Sequence, residues 1–124
     1  MMKGNKFRAV FYNRHHDEIV RQGYYAIAEV LNGTDTSEKE SLLLCLDKYM
    51  DPYYGLQVDD KKKVELLLQQ VIVSKNAIEV KEDALDLLTS YSWPPFEILE
   101  DNLDKIEPDI LQSVLYALNM DKDN

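Results

Sequence analysis

Apolar residues in this chain recur at steps of three and four, and each run is cut short by a proline or an acidic corner. Leu42, Leu43, Leu46, Tyr49 and Met50 form one stripe and Val64, Leu67, Leu68, Val71 and Ile72 another. Ala84, Leu85, Leu88 and Tyr91 follow, then Phe96, Leu99, Leu103 and Ile106, then Ile110, Leu111, Val114, Leu115 and Leu118. That spacing belongs to helices with one buried face. Proline at 52, 94, 95 and 108 interrupts the pattern, because it donates no backbone hydrogen bond and pushes its predecessor out of helical angles. Helices this short are marginal alone in water, so each stripe must be buried against its neighbours. The expected fold is all-α: a compact antiparallel stack of about six short helices, an irregular α-solenoid.

The boundaries follow from local chemistry. A first helix is expected from Asn13 to Asn32, on Ile19, Val20, Tyr24, Ile27, Val30 and Leu31, with Gly33 placed for a left-handed cap. Before it, 7–12 reads either as a backward extension of that helix, the favoured option, or as an extended arm. Ser37 followed by Glu40 has the pattern of a capping box opening a helix that runs to about Met50. Asp59 is the expected cap of a helix from Asp60 to about Val73, whose Val71-Ile72-Val73 end would suggest a strand if read without the leucine stripe before it. Further helices are expected over Val80 to Tyr91, from Pro95 through Ile106, and from Pro108, a residue suited to a first helical position. The last three, joined by tight corners, are expected to pack antiparallel or nearly so.

With 124 residues the chain fits one domain, 1–124, with 1–12 as a possible flexible or helical arm and 121–124 as a disordered tail. No run of roughly eighteen apolar residues exists for a membrane span, and the amino-terminal stretch is too short and polar for a signal peptide. A cytoplasmic location is the resulting expectation. The one cysteine, Cys45, sits within a leucine run; it excludes an internal disulfide and reads as a buried core thiol.

Charge is concentrated rather than spread. Between Asn76 and Asp121 eleven acids face only Lys81 and Lys105, a local net charge of −9 that equals the formal charge of the whole chain. An anionic surface repels nucleic acid and attracts basic partners. Lys61-Lys62-Lys63, the one basic run, supplies too few contacts to hold a phosphate backbone at physiological salt. His15-His16-Asp17-Glu18 offers metal-capable side chains, but adjacent helical positions point about 100° apart, so a solvated helix start is expected there. No glycine-rich phosphate loop, metalloprotease helix or di-iron motif is present, and the segment from Asp51 to Asp60 lacks the alternating oxygens of a calcium loop. No cofactor, metal or catalytic residue is expected. The acid pairs read as the solvated side of amphipathic helices, and an enzyme built on them is the third reading, after a binding module and a scaffold.

The aromatic residues are more informative. Tyrosine and tryptophan commonly anchor protein interfaces. Tyr24, Tyr49 and Tyr91 fall on apolar stripes and read as core, whereas Tyr53, Tyr54 and Trp93 lie at corners, open equally to a contact role or to a lid over the core. Tyr116 lies off its helix's stripe.

Pro108-Asp109-Ile110-Leu111-Gln112-Ser113-Val114-Leu115-Tyr116-Ala117-Leu118 resembles the second helix of a HEAT-type repeat, and Glu82-Asp83-Ala84-Leu85-Asp86-Leu87-Leu88 echoes it. The arginine common in such repeats is missing and the helix starts are unevenly spaced. In size, acidity and helix style the chain also resembles the immunity proteins of bacterial polymorphic and contact-dependent toxin systems. That resemblance implies binding and occlusion of a basic partner, a cognate toxin domain. The residues expected to meet the partner are Tyr53, Tyr54, Trp93, Glu97, Glu100, Asp101, Asp104, Glu107, Asp109 and Tyr116. The alternative is a helical scaffold or self-associating protein without catalytic role; the sequence leaves the oligomeric state open.

Overall fold

A computed structural model describes residues 10–120. Among them the chain forms seven α-helices and no strand: α1 (Arg14–Gln22), α2 (Tyr24–Leu31), α3 (Thr36–Met50), α4 (Lys61–Val73), α5 (Ile78–Tyr91), α6 (Glu97–Asp101) and α7 (Pro108–Leu118). Single 3-10 turns cover Pro52–Tyr54 and Leu103–Lys105. The fold is all-α, and α5 is its central element, packed against α3, α4 and α7. At one end α1 and α2 close over α3 and α4; at the other, α6 rests on α4 and α7.

The core is made by the stripes. Leu42, Leu46, Val64, Leu68, Ile72, Val80, Leu88, Leu99 and Val114 lose all of their exposure. Each such side chain contributes roughly 1.5–3 kcal/mol of gross burial, which is what holds helices too short to persist alone. α3, α4, α5 and α7 match the expected spans to within two residues at each end.

Elsewhere the structure corrects the sequence. The expected first helix is two helices, because Gly23 takes φ 97° and ψ −164° between them. That conformation is open to glycine and strained for other residues, and a Cβ there would also meet Asp59 Cβ at 3.3 Å. Gly33 does not adopt the left-handed conformation expected of it; α2 ends at Leu31 and is capped by Asn32, whose N–H bonds the Ala28 carbonyl. α3 is capped by Asp35, whose Oδ1 accepts from Glu38 N at 3.1 Å, rather than by Ser37. α4 starts after Asp60, a left-handed residue with no side-chain cap, so Asp59 does not serve as one. The expected Pro95–Ile106 helix is only α6 and a 3-10 turn. Asn102 stops it, its side-chain amide donating to the Ile98 carbonyl at 2.8 Å, and α6 turns onto α4 rather than packing antiparallel to α5. Residues 10–12 are not helical; 1–9 and 121–124, with the rest of the expected arm and tail, lie outside the described residues.

Buried polar groups tie the helices together. His16 is buried rather than solvated: its Nδ1 accepts from Asn13 N and its Nε2 lies 3.1 Å from Glu38 Oε1, joining α1 to α3. Asp17 collects the Lys48 ammonium at 3.1 Å and the Tyr49 hydroxyl at 3.0 Å, and Arg21 Nε donates to that same hydroxyl. Burial works to raise the Asp17 carboxyl, but bonds from Lys48 and Tyr49 outweigh it and hold the group below its ordinary value. Cys45 is fully buried with Sγ 3.6 Å from Asp17 Oδ1; burial, reinforced by that carboxylate, pushes the thiol up to about 12 and leaves it unreactive.

Candidate protein-binding surfaces

In the stretch from α6 to the start of α7, Phe96, Leu99, Ile106 and Ile110 point inward and are buried. The intervening Glu97, Glu100, Asp101, Asp104 and Asp109 are left exposed. Among the described residues no lysine or arginine pairs with any of these five carboxylates. Glu107 differs: its Oε1 lies 3.0 Å from the ammonium of Lys81, whose side chain is only 6% exposed. One of the two bases of the acidic half is thus consumed internally, together with one acid.

Asp109 and Tyr116 border a groove between α5 and α7. It comprises two adjoining cavities of about 320 and 270 Å³ that share Leu85, Asp86 and Ser113. Glu82, Asp83 and Asp86 of α5 join Asp109 there, a grouping missed in the sequence although the steps of α5 carried the signal. Burial among these helices raises the Asp86 carboxyl above its ordinary value. Tyr116 stands 71% exposed at the Gln112 end.

Trp93 and Glu97 lie in a different place, a cleft of about 740 Å³ between the first turns of α4 and the Ser92–Phe96 corner. The structure therefore groups Trp93 with Lys61 and Lys62 instead of with the acids further along the chain. Tyr53 and Tyr54 border neither surface. Their rings meet edge to face at 5.2 Å in the turn after α3, and Tyr53, 85% exposed, stands in solvent rather than over the core.

Among the described residues no helix is long and apolar enough to cross a membrane. Comparison with protein-family models, with curated proteins and with solved structures finds no match to this chain in any of the three.

Proposed function

We propose that this protein is a binding module of the immunity type, which presents its acidic face to a basic protein partner and occludes the substrate groove of a cognate toxin domain. The observation that carries the reading is the set of exposed carboxylates at Glu97, Glu100, Asp101, Asp104 and Asp109, none neutralised by a cation of the described chain. Uncompensated charge of one sign attracts a cationic partner over roughly a Debye length, about 8–10 Å, and speeds encounter. Exposed Tyr116, which lines the same cavity as Asp86, would supply contact area that slows release. Blocking a basic groove requires no chemistry from the inhibitor.

The test is the association rate with a cognate basic toxin domain, measured by stopped flow as salt is raised. Reversing Glu100, Asp101 and Asp104 to lysine should slow association at least tenfold at low salt and flatten its salt dependence. Unchanged kinetics would reject the reading. Glu107 is left out of that set because its charge also holds Lys81.

A further inference from the structure

We infer that the cleft beside Trp93, where two exposed lysines meet an apolar corner, is a second docking surface, which takes an acidic peptide segment carrying aliphatic side chains. Of the carboxylates of the proposed acidic face its lining includes Glu97 but none of Glu100, Asp101, Asp104 and Asp109, and the two tests alter different residues, so either surface can fail its test without the other.

The three lysines that open α4 go to two destinations. Lys63 Nζ lies 5.6 Å from the ring centres of Tyr24 and Tyr25 on α2. Lys61 and Lys62 line the cleft, both exposed, and Lys61 is held only by a 4.0 Å approach to Glu65. Glu65, the nearer carboxylate, is turned inward: its side chain is 19% exposed and accepts the Ser92 hydroxyl at 2.6 Å. Two exposed ammonium groups therefore stand in the cleft against one inward-turned carboxylate, Glu65, and one exposed carboxylate at its edge, Glu97.

The opposite wall, made by Trp93, Pro94 and Pro95, is apolar, and Leu66 adds an apolar side chain from α4; Leu66 and Trp93 are nearly half exposed. Both flanks of the corner are pinned, by the Ser92–Glu65 bond on one side and on the other by Phe96, which is 2% exposed. Between these anchors Trp93 is held out at the rim, and among the described residues nothing accepts from its indole N–H. An indole has only two side-chain torsions to fix, so a half-exposed tryptophan on an anchored corner can be covered at low entropic cost. The volume is that of a ligand-binding cleft.

Charge complementarity selects the occupant. Carboxylates meet Lys61 and Lys62, and an aliphatic side chain lies between Trp93 and Leu66. A nucleic-acid strand is disfavoured, because two lysines neutralise too few phosphates and Glu97 lies at the edge of the same cleft.

Trp93 is the only tryptophan, so its emission reports this cleft directly. The probes are a blocked octapeptide of alternating glutamate and leucine, the same peptide with lysine for glutamate, and an oligothymidylate. The glutamate peptide should shift the emission saturably, with a dissociation constant that rises at least tenfold in the Lys61→Glu/Lys62→Glu variant and several-fold as salt is raised. Circular dichroism checks the variant's fold, which should persist because acids on a first turn favour a helix. No shift up to millimolar peptide, an equal response to the lysine peptide, undiminished binding by the variant, or tighter binding of the oligonucleotide would each overturn the inference.

Discussion

The side-chain carbonyl of Gln69, in the middle of α4, accepts the backbone N–H of Ile98 in the first turn of α6 at 2.9 Å. The Leu99 N–H approaches the same oxygen at 3.4 Å. α6 is five residues long and has no side-chain cap of its own, so two of the donors that its first turn leaves open are satisfied from a neighbouring helix. This is what seats α6 on α4 and defines the far wall of the Trp93 cleft.

Gln69→Leu keeps the bulk but removes the acceptor. Gln69 is 3% exposed, so water cannot fully replace it, and each buried donor left open costs about 1–3 kcal/mol. A loss of about 2 kcal/mol in urea unfolding is expected, with Trp93 emission changing in the native baseline because α6 loosens first. An unchanged midpoint and baseline would mean that the glutamine does not hold α6.

How far such contacts were readable from the sequence follows from their range. α3, α4, α5 and α7 were legible because a stripe such as Val64, Leu67, Leu68, Val71 depends only on residues within a few turns. The break at Gly23 was not, since a glycine inside a helical pattern costs only about 1 kcal/mol and the stripe continues on both sides of it. Only the fold shows the positive φ and Asp59 close by. Asn102 was hidden in the same way, its amide competing for a backbone carbonyl that an uninterrupted helix would have used. Buried polar residues were the least legible. Gln69, Lys39 and His16 look like surface positions until Ile98, Asn76 and Glu38, each more than twenty residues away, come to meet them. Within the candidate surfaces, the exposure of Glu100, Asp101 and Asp104 followed from helical spacing, whereas the company of Trp93 depended on where α4 and the Ser92–Phe96 corner meet.

Asp17 makes stability depend on acid. A carboxyl whose folded value lies below its unfolded one, near 3.9, contributes stability that is present above the unfolded value and lost as pH falls through the folded one. Asp17→Asn should therefore destabilise at neutral pH, by about 1–3 kcal/mol given the charged and hydroxyl donors it serves. Below about pH 4 the gap between variant and parent should narrow as the parent's carboxyl is protonated. Thermal melts from pH 7 to pH 2.5 measure it; a gap that stays constant would place the cost in packing rather than charge.

Lys81 and Glu107 allow a sharper separation of pairing from packing. The lysine is almost wholly buried on α5, whereas the glutamate, at the start of α7, keeps 43% of its side-chain surface in water. Removing the acid strands a cation where it is poorly hydrated; removing the cation leaves a carboxylate that solvent can reach. Glu107→Gln should therefore cost about 1–3 kcal/mol, and Lys81→Met, which retains the long apolar stem packed in α5, should cost less. In the double variant the stranded cation no longer exists, so its stability should lie close to that of Lys81→Met alone, far from the sum of the two single effects. Denaturant unfolding of all four proteins completes the cycle. Additive losses would show that the 3.0 Å contact carries no coupling and that α7 is held to α5 by its apolar face alone.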